Sequence, residues 1–280
     1  MITVPKRYSY IEAYITLRCN KNCPYCINQY TGVERKRKEL SSKEWILGLN
    51  NISSDLPITF GGGEPTIHKG FYEIIAGLKP EIKIDLLTNL TFDIEEFTTI
   101  IPPERFTRKE GDEYKAIRAS YHPKTTDPDD LITRAKTLDS KGYGIGVFGI
   151  NHPENLQYNV IMTEKCRKAG IYFFIRDFLG FYDDRLYGYY KHLNALNGNK
   201  KHCQCKTEEL LIGPEGNVFR CHRDLYDGNG EIGNILNMAF DITDEFRPCD
   251  NYGLCNPCDM KLKLGPDLIT SKCSVEIENG

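Results

Sequence analysis

Residues 10–26 read YIEAYITLRCNKNCPYC, and this stretch decides the fold. Its first part, Tyr10–Leu17, is rich in Ile, Tyr and Thr, the composition of a strand. Its second part sets Cys19, Cys23 and Cys26 on the loop that leaves that strand. Three thiolates on one short loop can bind three corners of a cubane iron–sulfur cluster and leave the fourth iron open to a ligand. Structural zinc is the rival, but such sites are closed by four ligands, and no fourth thiol or imidazole lies nearby. Unliganded thiols spaced so closely would invite oxidation.

Downstream, the same strand chemistry recurs at Pro57–Phe60, Ile82–Leu87, Lys115–Tyr121, Tyr143–Ile150 and Ile171–Phe178. Helix-like segments separate these runs. One opens with Ser41 and Glu44 at capping-box spacing, another follows Asp127-Pro128, and a third runs from about Pro153 to Ala169 and stops at Gly170. Strand–helix units in series imply parallel strands with right-handed crossovers. Six of them predict an α/β fold, a partial (β/α)6 barrel over residues 1–185. Chemistry in such folds gathers at the C-terminal strand ends, where Cys19 and Gly61 fall.

The loop after the second strand reads Phe60-Gly-Gly-Gly-Glu64-Pro65. Glycines let backbone approach a ligand closely, and an adjacent carboxylate can receive an ammonium group. A tight strand–helix turn is the bland alternative, and the Gly-Lys-Ser/Thr ending of a phosphate loop is absent.

The spacing Cys-x3-Cys-x2-Cys after a first strand, followed one βα unit later by Gly-Gly-Glu, resembles the radical SAM superfamily. The resemblance implies a [4Fe–4S] cluster held by Cys19, Cys23 and Cys26, with S-adenosylmethionine (SAM) chelating the unique iron through its amino and carboxylate groups. It further implies reductive cleavage of SAM to a 5′-deoxyadenosyl radical. Tyr25 is the aromatic residue expected near the adenine, and Gly61, Gly62, Gly63 and Glu64 are expected along the methionyl amine. Weaker echoes add Asn89 after the third strand, where Leu90 stands in place of a common glycine. Ser120 sits where relatives offer a hydroxyl to the ribose, and Arg176 in the sixth strand is placed to meet a carboxylate. Ordinary strand-end packing is the alternative for each of these three.

Beyond residue 185 the rhythm stops, and residues 186–280 are loop-rich with seven cysteines. Leu210–Gly213 and Asn217–Arg220 read as a hairpin around a Pro/Gly turn. So few apolar runs predict a small core that metal clusters would cross-link. Cys203, Gly216 and Cys221 resemble the opening of the SPASM and twitch extensions, which bind auxiliary [4Fe–4S] clusters; Cys205 fits the same spacing. The later order, Cys249-x5-Cys255-x2-Cys258-x14-Cys273, departs from the full SPASM run. Seven thiols allow one closed cluster with spares or two clusters with one open iron. A zinc ribbon stays open as the alternative.

The cysteine count bears on the compartment. Eleven cysteines is an odd number for a disulfide framework, no signal peptide opens the chain, and metal ligation in a reducing cytoplasm is expected. A net charge of −3 without a basic stripe argues against nucleic acid, and no long apolar run argues for a membrane. The charged run Glu34–Glu39 is a solvated loop or a dock for a low-potential electron donor such as flavodoxin or ferredoxin. Cys166 reads as a small buried hydrophobe, and His222 is notable for standing beside Cys221. The substrate expected from the resemblance is a peptide or protein, with a sugar-like or nucleotide metabolite as the alternative. A non-catalytic iron–sulfur or zinc protein is the reading from another class. With the first cysteine at residue 19, no separate peptide-recognition domain is expected ahead of the barrel.

Overall fold

A computed structural model describes residues 1–27, 37–106, 114–237, 240–262 and 273–280. The six expected strands form, each within two residues of its expected ends: β2 Tyr10–Thr16, β4 Ile58–Gly62, β5 Ile84–Thr88, β6 Ile117–Ser120, β7 Ile145–Asn151 and β8 Phe173–Asp177. They pair in that order, every neighbour parallel. The short β1 (Ile2–Thr3) and β3 (Ile52–Ser53) pair with each other outside this sheet.

Alternation along β2 shows how the sheet divides its faces. Ile11, Ala13 and Ile15 lie in the main core with Trp45, Phe60, Phe71 and Phe97, on the helix side. Glu12, Tyr14 and Thr16 therefore point to the inner side. The helices obey their local signals. Helix α1 (Ser42–Leu49) has the Ser41–Glu44 capping box. Helices α2 (Phe71–Gly77) and α3 (Ile94–Ile100) follow, and Asp127 caps α4 (Pro128–Ser140) by accepting from the Asp129 and Asp130 amides. Helix α5 (Leu156–Ala169) ends at Gly170 with φ +70°, the left-handed position that favours glycine.

The sheet extends beyond these six strands. After the β9–β10 hairpin (Gly180–Tyr182, Arg185–Tyr187) and β11 (Lys201–Thr207), strand β12 (Glu209–Ile212) lies parallel beside β2. Strands β13 (Asn217–Phe219) and β14 (Gly233–Asn234) continue antiparallel beyond it, making nine strands among the described residues. The expected hairpin is thus present, but both of its arms belong to the barrel sheet. The reason is burial: all four β12 residues are buried, as a strand covered on both faces requires.

The remaining tail strands, β15 (Arg247–Tyr252) and β16 (Val275–Glu278), flank β11 in a separate antiparallel sheet. Its core is small: Tyr190, Ala195, Leu196, Tyr252, Met260 and Val275, with Cys203, Cys205, Cys249, Cys255 and Cys273 packed among them. Two short helices complete this part, α6 (His222–Asp227) and α7 (Pro257–Met260).

Candidate active site

The cysteine loop begins where β2 ends, and its first residue is anchored. Arg18 donates to both oxygens of Glu39 at 2.9 Å, and its backbone N–H donates to Thr16 Oγ1 at 3.0 Å. Within the loop, the Lys21 N–H donates to Cys19 Sγ at 3.4 Å and the Cys26 N–H to the Cys23 carbonyl at 3.1 Å. Burial, then the neighbouring Cys26 and Cys19, pushes the Cys23 thiol up to about 11. The three sulfurs therefore act on one another, an arrangement that a bound cation would convert to thiolates.

The glycine loop is pressed against this one. The Gly63 N–H donates to the Thr16 carbonyl at 2.9 Å and the Glu64 N–H to the Arg18 carbonyl at 2.8 Å. A Cβ on Gly63 would stand 1.8 Å from the Arg18 oxygen, and one on Gly62, whose φ is +111°, 2.4 Å from the Thr16 oxygen. At Gly61 it would meet Glu12 Oε1 at 2.1 Å. Protein backbone and the Glu12 carboxyl thus occupy the space a side chain at any of the three would need.

Glu64 is buried and fully engaged. It accepts from Thr66 Oγ1 (2.6 Å), Thr66 N (3.3 Å), Thr88 Oγ1 (2.8 Å) and Asn89 N (2.6 Å). Burial raises its pKa, and these donors act against the rise. Asn89 also donates to Asn20 Oδ1 at 2.7 Å, so the ends of β4 and β5 are bonded to the cysteine loop. Leu90, in the position where a glycine was noted as usual, adopts φ +59° while 1% exposed. The glycine-like backbone survives although the residue does not.

Tyr25 packs between two imidazoles, 6.1 Å from His122 and 5.3 Å from His152 by ring centroids, with its hydroxyl 3.3 Å from His122 Nδ1. Burial, then Lys21, pulls the His122 pKa down to about 4, so that ring is neutral. Both histidines follow strand ends, and that placement was the only signal in the sequence pointing to them. Ser120 is half-buried at the end of β6, and Arg176 stacks over Tyr114, Phe148 and Phe174. In the run Glu34–Glu39, residues 34–36 lie outside the described residues.

All eleven cysteines are free thiols. In the tail, Cys203 and Cys249 are directly opposed in the β11–β15 register. Burial, then Cys249, pushes Cys203 up to about 11. Burial leads again at Cys205, followed by Cys249, Cys203 and Cys255. At Cys255 burial and Asp259 precede Cys249 and Cys203. The fold thus brings Cys203, Cys205, Cys249 and Cys255 together. Cys205 also acts on Cys221, while Cys273 Sγ donates to the Asp259 carbonyl at 3.3 Å. The charges that act most on Cys258 are those of Lys261, Asp259, Glu209 and Glu12. Between these groups sits a buried trio, Glu209, His222 and Asp259, whose ligand-type atoms all lie within 4.8 Å of one another. Asp259 Oδ1 is 2.7 Å from His222 Nδ1 and accepts the His222 N–H at 2.9 Å. Cys166 is buried in α5 within the main core.

A parallel sheet whose first loop carries three cysteines, bound to a glycine–glutamate loop, is the architecture of a radical SAM domain. Residues 13–110 match the family model described as Radical SAM superfamily. That stretch is a radical SAM domain, the domain of a superfamily whose members are enzymes and whose chemistry implies a [4Fe–4S] cluster coordinated with SAM. It is 38% identical over 78 residues to the PqqA peptide cyclase of Bradyrhizobium diazoefficiens, covering 27% of this chain and 20% of that one. It is 25% identical over 295 residues to a probable GTP 3′,8-cyclase of Methanothermobacter thermautotrophicus, covering 95% of this chain and 84% of that one. The chain spans between 17% and 24% of the length of the PqqA cyclases it matches. In fold it is similar to SuiB of Streptococcus suis bound to its precursor peptide SuiA, with TM-score 0.56 and 15% identity over 81% of this chain and 62% of that one. It is likewise similar to anSMEcpe with bound AdoMet, with TM-score 0.56 and 13% identity over 84% and 78%. Among the described residues no helix is long and apolar enough to cross a membrane.

Proposed function

We propose that this enzyme binds a [4Fe–4S] cluster through Cys19, Cys23 and Cys26, cleaves SAM reductively and abstracts a hydrogen atom from a peptide or protein substrate. The observation that carries the reading is the locking of the cysteine loop to the glycine loop through Gly63, Glu64 and Asn89. When bound, the cluster and SAM supply the electron and the 5′-deoxyadenosyl radical. This chain's residues do the positioning. Tyr25, between His122 and His152, offers an aromatic wall for the adenine. Gly61, Gly62, Gly63, Glu64 and Asn89 form the loop beside the methionyl end, and Ser120 offers a hydroxyl on the inner face.

Two comparisons favour a peptide: PqqA peptide cyclases match in sequence, and SuiB, bound to a precursor peptide, shares the fold. The second reading, a nucleotide or sugar-like metabolite, is favoured by the GTP 3′,8-cyclase that aligns along 95% of the chain. For the tail we propose one or two auxiliary [4Fe–4S] clusters drawn from its seven cysteines, and for the electron source a flavodoxin or ferredoxin. Eleven free thiols support a reducing cytoplasm as its location.

The test is direct. Anaerobically reconstituted protein should convert SAM to 5′-deoxyadenosine with a low-potential reductant. The variant with Cys19, Cys23 and Cys26 replaced by Ala should lose about four irons per chain and all cleavage. Full cleavage in that variant would overturn the central reading. Precursor peptides encoded beside the gene, tested against GTP and sugar alcohols, decide between the two substrate classes by which of them is consumed.

A further inference from the structure

Strand β8 ends the nine-stranded sheet, and among the described residues β7 is the one strand paired with it. The Val147 N–H donates to the Tyr172 carbonyl at 2.8 Å, and Phe173 stands opposite Val147 in the parallel register. Backbone groups alternate in direction along a strand, so those of Tyr172, Phe174 and Arg176 face β7. Those of Phe173, Ile175 and Asp177 face away from it, and no backbone hydrogen bond among the described residues reaches them. The side chains are open as well. Phe174, on one face, is 37% exposed and Ile175, on the other, 40%. A row of bare backbone groups flanked by exposed apolar side chains is a template for pairing with another chain.

A cavity of about 260 Å³ lies where β8 ends. Asn151 and Asp177, opposed as the last pair of the β7–β8 register, line it together with Phe178 and the hairpin residues Arg185 and Tyr187. Its aromatic side leads back to the candidate site. By ring centroids Phe178 is 5.8 Å from Tyr187 and 4.6 Å from His152, and His152 is 5.3 Å from Tyr25 of the cysteine loop. The volume falls below the ~300–1,000 Å³ of pockets that hold a whole small molecule, and suits a single side chain. Asp177 and Arg185 bring one charge of each sign, with the guanidinium stacked 5.2 Å from the Tyr187 centroid. A carboxylate there opposes a polyphosphate, while the Asn151 amide can both donate to and accept from a polar group.

We propose that an extended peptide segment of the substrate binds as an added strand along the free edge of β8 and places one side chain in the cavity at the strand's end. The edge offers alternating N–H donors and C=O acceptors, which another extended polypeptide satisfies along its whole length. Asp177 belongs to both the edge and the cavity, and the cavity adjoins the His152–Tyr25 stack, so a chain bound there is led to the cysteine loop. The inference rests on the radical SAM reading and decides between its two substrate classes, because a nucleotide has no backbone to pair with β8.

Reconstituted full-length protein would be panned with a phage-displayed library of random peptides about twelve residues long, with Ile175→Pro as the counter-selection. Proline there removes one outward N–H and spares the β7 ladder, because the Ile175 amide does not face β7. Circular dichroism and iron content check that each variant folds. Fluorescence anisotropy with the recovered peptides should show binding weakened about tenfold or more by Ile175→Pro, and less than about threefold by Ile175→Ala, which keeps the N–H. Asn151→Trp, which fills the cavity, should weaken binding about tenfold. Hydrogen exchange on wild type needs no variant. Bound peptide should slow the amides of Phe173, Ile175 and Asp177, while those of Phe174 and Arg176 are slow from the start. No recovered peptide, equal binding by Ile175→Pro, or unchanged exchange at the outward amides would each overturn the proposal. So would a wild-type dimer that Ile175→Pro dissolves, which would give the edge to a second copy of this chain. Peptide binding by a wild type that does not cleave SAM would keep the edge site and overturn the radical SAM reading instead.

Discussion

The Cα of Gly63 lies against the carbonyl of Arg18 so closely that a Cβ would stand 1.8 Å from that oxygen. Arg18 precedes Cys19, so the glycine loop and the cluster loop cannot move independently. Gly63→Ala should therefore displace the cysteine loop and remove most of the about four irons of the SAM cluster, rather than weaken SAM binding alone. Gly144→Ala is the control, because a Cβ there meets nothing nearer than 3.9 Å. Iron and acid-labile sulfide per chain report the outcome; a fully loaded Gly63→Ala protein with poor SAM affinity would show that the two loops are separable.

The tail should carry iron of its own. Wild type is expected to hold about eight irons with one auxiliary cluster and about twelve with two. The variant lacking Cys19, Cys23 and Cys26 should keep that surplus and its visible absorbance. A colourless triple variant with one zinc per chain would make the tail a zinc ribbon.

Asp259 connects two cysteine-bearing segments. It accepts the backbone N–H groups of His222 and Arg223 and faces the His222 imidazole, while Cys221 and Cys258 are the adjoining residues. Removing one member of a buried pair strands the other, so Asp259→Ala should cost about 3–5 kcal/mol. It should also lower the auxiliary iron, with Asp259→Asn milder on both counts. Urea unfolding and iron analysis test this, and an unchanged midpoint with unchanged iron would show the pair to be incidental.

Leu90 sets two effects against each other. Its left-handed backbone costs about 1–2 kcal/mol, which Leu90→Gly would relieve. Loss of its buried side chain costs about 2–5 kcal/mol. Burial wins, and the variant should be destabilised by about 1–3 kcal/mol in chemical denaturation. Stabilisation would mean that the strained backbone outweighs the packing.

The six barrel strands were legible because β-rich runs separated by capped helices are a local signal, and Ser41, Asp127 and Gly170 act within a few residues of themselves. The seventh parallel strand was not. Leu210–Gly213 reads as one arm of a hairpin, and the pairing of β12 (Glu209–Ile212) with β2 joins residues about 200 apart, which no local pattern encodes. The His122–Tyr25–His152 sandwich was hidden in the same way: two strand-end histidines and a tyrosine of the cysteine loop become neighbours only when the sheet forms.

By itself the sequence determined the chemistry's ingredients: three thiols at fixed spacing, a triple glycine before a glutamate, and a cysteine-rich tail. Short-range spacing confines groups on one loop whatever the rest of the chain does. Only the tertiary structure decided what those ingredients touch. It turned the glycines into a steric lock on Arg18 and Glu12, and it opposed Cys203 to Cys249 across two strands. It also stacked Arg176 over Tyr114 and Phe148. Each relation joins residues far apart in the chain and depends on strand pairing and burial, which act through space.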